Sequence, residues 1–379
     1  MKKVLFFIES LSRGGAEKVL SDIVSHLAKK KYDITVWTVT DQGEYQPIVE
    51  KHCHYCSFLN MKDANGNVFQ KLLFRVKTNL IYKLPAILVY RWQIKNKYDI
   101  EIAFVEGFAT KLIAASPNPN SKKIAWVHTD MNKNPYADSC YTNHSSHVEA
   151  YRKYDNILCV SGGVKKAFES KFFFSEKIGV QYNVIDTSNI ITSGKKEIDI
   201  DIDIRKGISL FSVGRLEEAK GFVRLVDMLG KLFQEGYRFS LWLIGEGSQR
   251  RQIETIIQKY KMNESIKILG FHSNPYKYMS KCDAFVCSSY AEGFSTAATE
   301  ALILEKPVFT TDCSGMLELF GDENCGEIVP NTDEALFALL EKLVSGKIKL
   351  DRYGEALKRR RMFFCISKRI KEIEGILDE

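Results

Sequence analysis

Glu292-Gly-Phe-Ser-Thr-Ala-Ala-Thr-Glu300 decides how this chain folds. Seven residues separate its two carboxylates, and Gly293 and Phe294 directly follow the first. The preceding run Ala284-Phe-Val-Cys287 reads as a strand, and the apolar run 297–304 reads as a helix. Glu292 is therefore expected in a loop at the carboxyl end of a strand, with Glu300 about one turn into the next helix. Ser295 or Thr296 can cap that helix, because a hydroxyl there accepts from an otherwise orphaned N–H. A helix N-terminus with free N–H groups suits a phosphate. Carboxylates flanking it can accept hydrogen bonds from sugar or ribose hydroxyls. These are the parts needed to hold a nucleotide-sugar.

Working outward, strand patterns recur at 4–8, 34–39, 100–105, 123–127 and 157–160, with helix patterns such as 16–29 between them. A second series runs through 208–213, 239–244, 266–269, 284–287 and 308–310. Such alternation implies an α/β chain with parallel sheets, helices on both faces and right-handed crossovers. The 379 residues suggest about two domains at roughly 150 residues each. The expected divisions are a first Rossmann-like domain at 1–185, a linker at 186–206, a second such domain at 207–355, and a terminal segment at 356–379. The linker contains Glu197-Ile-Asp-Ile-Asp-Ile-Asp-Ile204. Its four acids at period two suit an exposed edge strand or linker better than a cation site.

Further landmarks stand in a fixed order. Gly14-Gly-Ala-Glu-Lys18 lies near the start, then Trp126-Val-His128-Thr-Asp130, Val213-Gly-Arg-Leu216 with Lys220-Gly221, Ile244-Gly-Glu-Gly247 and Leu269-Gly-Phe271. After the acidic pair come Lys306-Pro-Val, Thr311-Asp-Cys-Ser-Gly-Met316, Glu318 and Gly326. The whole series resembles the family-4 (group 1) retaining glycosyltransferases of the GT-B fold, of the type that builds bacterial surface polysaccharides. That resemblance implies two Rossmann-like domains facing a cleft, with the last helix crossing back onto the first. It implies transfer of a hexose from a nucleoside-diphosphate sugar, with UDP the leading nucleotide, to a hydroxyl of a glycan or lipid-linked acceptor. It further implies retention of configuration, with neither metal nor other cofactor.

The resemblance also assigns roles. Glu292 would meet the donor hexose near the reacting carbon, and Glu300 the ribose. Arg215 and Lys220 would neutralise the diphosphate leaving group, as an Arg fork and a Lys point charge can. His128 would face the donor sugar and hydrogen-bond it or the phosphate. The amides of Ser295 and Thr296, beside Gly293 and Phe294, would grip the distal phosphate and sugar. Gly245, Gly270 and Phe271 would bracket the base, Gly214 would open the cation loop, and Gly14 and Gly15 would lie under the phosphates. Ser295-Thr-Ala297 stands where many members carry Gly-Leu-Pro, and these side chains border the donor sugar. Two other functions stay open on sequence alone: a GT-B nucleotide-sugar epimerase or phosphorylase, and a non-catalytic GT-B subunit that binds a glycan or protein acceptor.

Composition narrows the setting. Nine scattered cysteines point to a reducing compartment rather than a disulfide framework. Cys53-His-Tyr-Cys56 lacks a second pair at metal-site spacing and reads as a strand with small thiols. No run approaches the ~18 apolar residues of a membrane span. Glu9 and Arg13 interrupt the apolar start, so no signal peptide is expected and the location is read as cytoplasmic. The net charge of +7 is uneven: no acid stands between Asp63 and Asp99, where Lys71, Arg75, Lys77, Lys83, Arg91, Lys95 and Lys97 alternate with apolar and aromatic residues. Such a stretch suits the anionic inner face of a membrane, or else a core-packed helix with a solvated basic face. No recognised module accompanies the charge, which argues against nucleic acid.

Overall fold

A computed structural model of the chain describes residues 1–12, 14–198 and 207–379. Arg13 and most of the acidic run at 197–204 lie outside the described residues. The chain divides into two compact units, Met1–Ile185 with Ser367–Glu379, and Asp186–Ile366.

Unit one is built on a seven-stranded sheet, β1 (Lys2–Ile8), β2 (Tyr32–Thr40), β3 (His54–Leu59), β4 (Ile100–Ala103), β5 (Lys122–Val127), β6 (Asn156–Cys159) and β7 (Ile178–Val180). The order is β3-β2-β1-β4-β5-β6-β7, and the pairings are parallel. Helices cover both faces of such a sheet, so central strands read as unbroken apolar runs. In β1, Val4 to Phe7 are fully buried. Helix Ile366–Asp378 completes this unit by burying Ile370, Ile373 and Leu377. Lys2 Nζ donates to Leu377 O at 2.8 Å, and Tyr32 OH to Asp378 Oδ1 at 2.9 Å.

Unit two repeats the plan with β8 (Ile208–Val213), β9 (Phe239–Ile244), β10 (Ile266–Gly270), β11 (Ala284–Cys287), β12 (Val308–Thr311) and β13 (Gly326–Val329), in the order β10-β9-β8-β11-β12-β13. In each sheet the order reverses beside the first strand, between β1 and β4 and between β8 and β11. Open α/β sheets bind ligands outside the carboxyl ends of the strands at such a switch point.

The structure corrects several boundaries. Residues 187–194, expected as linker, form helix Thr187–Gly194, capped by the Asp186 carboxylate accepting from Asn189 N at 2.9 Å. This helix belongs to unit two, where Ser280 Oγ donates to Gly194 O at 2.7 Å. Its polar sequence hides one deeply buried anchor, Ile190. The terminal segment also begins later than 356. Helix Gly354–Phe363 stays with unit two because the buried Arg360 donates through Nε to Leu319 O at 2.7 Å. The strands β7 and β13 lie at sheet edges and are mostly half-exposed, so they lack the unbroken apolar run of the central strands.

Candidate functional site

The carboxyl ends of β8 and β11 bring Lys220 of the cation loop and Glu292 together. Lys220 Nζ donates to both oxygens of Glu292, at 2.7 and 2.9 Å. Ser289 Oγ adds a third bond to Glu292 Oε1 at 2.6 Å. A small cavity is lined by Ser212, Lys220, Ser288, Ser289, Glu292 and Ser295. Burial alone would depress the Lys220 ammonium, but the facing Glu292 carboxylate outweighs it and the pKa is raised. The family resemblance implies separate tasks for these two residues, yet here they form one ion pair.

Backbone geometry holds this arrangement. Gly221, at φ +63°, ends the cation loop; a Cβ there would stand 2.1 Å from Ser288 O, so only glycine lets the two loops touch. Gly245 meets Gly214 in the same way, its absent Cβ only 1.9 Å from Gly214 O. Gly270 accepts from Gly245 N through its carbonyl at 2.8 Å. Arg215 is exposed just beyond Gly214. Phe271 follows Gly270 and is half-buried.

Helix Thr296–Ile303 starts beside Glu292, with Ser295 as its cap: the Ser295 hydroxyl accepts from Ala298 N at 3.3 Å. Thr296 is thus the first helical residue. Gly293, Phe294 and Ser295 are buried. Glu300 is also buried and accepts from Tyr276 OH at 3.1 Å.

Arg224 was not foreseen. Its buried guanidinium donates to Ser288 O at 2.9 and 2.7 Å, to Ser289 O at 3.1 Å and to Asn331 Oδ1 at 2.8 Å. It also lies 3.8 Å from the centre of the Tyr290 ring. Arg224 therefore fixes the loop that delivers Ser289 and Glu292. Its position four residues after Lys220 is the hint the sequence carries.

The remaining sequence candidates stand in unit one. Gly14 caps helix Gly15–His26 with extended backbone, and the Glu17 carboxylate lies against it. That start is less open to an anion than a bare glycine turn. His128 follows β5, its ring tilted against Phe104 and roughly parallel to Trp126. Burial lowers its pKa to about 3, while a bond to the Phe104 backbone opposes the shift. Its Nε2 is buried and has no partner among the described residues. Glu106 is the unforeseen residue here: it is 1% exposed, and Oε1 accepts from His128 N at 2.7 Å, Thr129 N at 2.7 Å and Thr129 Oγ1 at 2.8 Å. A repeated triplet could have revealed it, since Glu106-Gly-Phe in unit one matches Glu292-Gly-Phe in unit two. Among the described residues, no three His, Cys, Asp or Glu come together as a metal site needs, Cys53 and Cys56 included.

Two parallel α/β units, one carrying a cation–carboxylate pair beside a capped helix at its switch point, define a class of two Rossmann-like units. The comparisons specify it. The model described as Glycosyl transferases group 1 matches residues 195–360, and Glycosyltransferase Family 4 matches 13–189. The chain is 30% identical over 342 residues to N-acetylgalactosamine-N,N'-diacetylbacillosaminyl-diphospho-undecaprenol 4-alpha-N-acetylgalactosaminyltransferase of Campylobacter jejuni, covering 88% of this chain and 87% of that protein. Lipopolysaccharide 1,6-galactosyltransferase of Escherichia coli is 22% identical over 365 residues, 92% and 91% of the two chains. The crystal structure of Anabaena HepE in complex with UDP and glucose matches with a TM-score of 0.76 at 18% identity, covering 100% of both chains, and shows the shared GT-B fold. The protein belongs to the group 1 glycosyltransferases and is an enzyme of that class.

Proposed function

We propose that the protein is a retaining, metal-independent hexosyltransferase that moves a sugar from a UDP-sugar to a hydroxyl of a glycan or lipid-linked acceptor. The observation that carries this reading is the Lys220–Glu292 pair at the β8/β11 switch point, next to the helix capped by Ser295. In the transition state, charge builds on the leaving diphosphate. Fixed cations and amides stabilise it best when already in place. Lys220, Arg215 and the amides at Ser295 and Thr296 serve this purpose. Lys220, bridging diphosphate and Glu292, also orients that carboxylate toward the hexose hydroxyls, while Glu300 takes the ribose. Gly245, Gly270 and Phe271 border the base. The leaving phosphate accepts the acceptor proton on the same face, so no dedicated base is required and configuration is retained.

His128 has a narrower role than a proton carrier. Its ring is neutral at physiological pH, so one ring nitrogen carries no hydrogen and presents a bare lone pair. A lone pair accepts from a hydroxyl and repels phosphate oxygen, so its partner in this reading is a sugar hydroxyl. Unit one then carries the acceptor. Relatives that act on a diphospho-undecaprenol sugar and on lipopolysaccharide support an acceptor of surface-glycan type.

Such an acceptor would lie at a membrane, and helix Val68–Lys83 has the matching surface. Ile81 is its one buried residue, whereas Val68 and Phe69 are 85% and 71% exposed. This exposure supports the lipid-facing reading of the helix. Exposed apolar residues interleaved with Lys71, Arg75 and Lys77 suit an anionic lipid surface. No helix of the described residues is long and apolar enough to cross a membrane.

Calorimetry with UDP tests the donor site. Arg215→Ala and Lys220→Ala should each weaken binding by ~1.5–3 kcal/mol, the scale of a charge-assisted hydrogen bond. A chelator should leave wild-type affinity and turnover unchanged. Undiminished affinity in both variants, or a strict requirement for a divalent ion, would overturn the proposal.

A further inference from the structure

Leu269-Gly-Phe271 closes β10, and the chain runs on through His272-Ser-Asn-Pro275 into a helical turn, Tyr276–Met279. Gly270 and Phe271 border the base in the reading above. The same loop ends on a residue with no task so far. The Tyr276 hydroxyl donates to Glu300 Oε1 at 3.1 Å, across 24 positions of sequence.

We propose that Tyr276 is the positioning residue through which Glu300 distinguishes ribose from 2′-deoxyribose, so that the donor is a ribonucleoside-diphosphate sugar and a deoxyribonucleoside donor is refused. This rests on the reading that Glu300 takes the ribose.

Both partners are deep in unit two: Tyr276 is 6% exposed and Glu300 5%. A phenol O–H bound to a carboxylate is a charge-assisted contact, and it limits how the carboxylate turns about its terminal torsion. Tyr276 is itself held from two sides. Asn274 Nδ2 donates to Ser193 O at 3.0 Å, and Ser280 Oγ to Gly194 O at 2.7 Å, so both ends of the turn are tied to helix Thr187–Gly194. A Cβ on Gly194 would stand 2.9 Å from Leu304 Cδ2 and 3.6 Å from Tyr276 O. That helix therefore packs against the turn and against the end of the Glu300 helix at once. On the base side, His272 Nε2 donates to Leu269 O at 3.1 Å, and Tyr278 OH lies 3.2 Å from Nδ1. The loop is a fixed piece, with the base-side residues at one end and the anchor of the ribose carboxylate at the other.

Rigidity of this kind acts on specificity. A carboxylate held in one orientation accepts from the two neighbouring hydroxyls of a ribose. With 2′-deoxyribose one of those bonds is not made, and a charged acceptor shielded from water is left unmet. A mobile carboxylate relieves that loss by turning toward the remaining hydroxyl or toward water. Turning away from Tyr276 breaks the phenol bond, so the anchored carboxylate keeps the penalty. Anchoring also means that less freedom is lost when a ribose binds.

Calorimetry of the full chain with UDP and 2′-deoxy-UDP tests the inference through the ratio of the two affinities. The wild type should prefer UDP by at least about tenfold, the scale of one lost charge-assisted hydrogen bond. Tyr276→Phe keeps the ring and removes only the hydroxyl. It should lower the ratio to about threefold by weakening UDP, with 2′-deoxy-UDP affinity unchanged. Glu300→Ala should bring the ratio close to one, and adding Tyr276→Phe to it should change nothing further, because Tyr276 acts through Glu300. If Tyr276→Phe weakens both nucleotides equally, or neither, the tyrosine is only structural and the proposal is overturned, while a ratio lost in Glu300→Ala leaves the ribose reading standing. If the wild type binds both nucleotides alike, or neither, or if Glu300→Ala keeps the wild-type ratio, the ribose reading itself fails and the proposal falls with it.

Discussion

At the scale of single residues, pairing decides what a substitution does. Glu292 accepts from Lys220 and Ser289, so it cannot be altered without consequence for Lys220. Removing one partner of a poorly solvated ion pair leaves the other charge uncompensated. Glu292→Gln should lower transfer by about 100-fold, equivalent to ~2.7 kcal/mol of transition-state stabilisation. Glu292→Gln with Lys220→Met should cost less than the two single effects added, with a coupling of ~0.5–3 kcal/mol. Steady-state kinetics and chemical denaturation of the four proteins complete the cycle, and strict additivity would mean that the pair does not act as a unit. Histidine burial gives a second residue-scale test. His147 is buried against Tyr141 and Phe172, and burial lowers its pKa to about 4, with nearby Asp138 opposing and Lys171 reinforcing. Below pH ~6.5 the unfolded chain takes up a proton that the folded chain refuses, so stability falls by up to ~1.4 kcal/mol per pH unit until the folded pKa is reached. Glu9, Glu101 and Glu106, whose pKa values are raised by burial, act with the opposite sign. Comparing wild type with His147→Gln isolates the histidine: the variant should lose less stability between pH 7 and pH 5, and equal slopes would refute the assignment.

At the scale of elements, two helices have roles that their amphipathic patterns only partly announce. Helix Val68–Lys83 turns apolar residues outward, with Tyr82 reaching back to Glu9. Each basic side chain near an anionic surface adds ~1 kcal/mol, screened by salt. Flotation with anionic liposomes should therefore be strong at low ionic strength and reversible at high, and weak with neutral lipid. Neutralising Lys71, Arg75 and Lys77 together should reduce flotation without changing UDP affinity. Helix Ile366–Asp378 instead buries Ile370, Ile373 and Leu377 in unit one. Deleting 366–379 exposes these side chains, each worth ~1.5–3 kcal/mol when fully buried. Thermal unfolding of the truncated chain should show a destabilised unit one, while UDP binding persists in unit two. Loss of UDP binding with unit one intact would contradict that division of labour.

At the scale of the whole molecule, the same order of strands is used twice, and open α/β sheets bind ligands where such an order reverses. A ligand that binds only the folded protein raises its apparent stability, by ~2.7 kcal/mol at a concentration 100 times its Kd. UDP should accordingly raise the melting temperature of the wild type, and Lys220→Ala should lose most of that shift. A shift of equal size in Lys220→Ala would place the nucleotide elsewhere.

The sequence alone determined the α/β class, the two-part plan and the positions of Glu292, Lys220 and Ser295 on their loops. Strand and helix periodicity is local, and so is the chemistry of a cap or a glycine turn. Tertiary structure alone decided which of these residues meet. Lys220 and Glu292 stand 72 positions apart, and the order β8 beside β11 is what makes them one ion pair. Arg224 looked like an ordinary helical arginine until packing buried it against three loop oxygens. The segment 186–194 read as linker because its polarity conceals the contacts that hold it on unit two. The outward apolar face of helix Val68–Lys83 was equally undecidable, because periodicity reveals an apolar stripe without saying whether protein or lipid covers it.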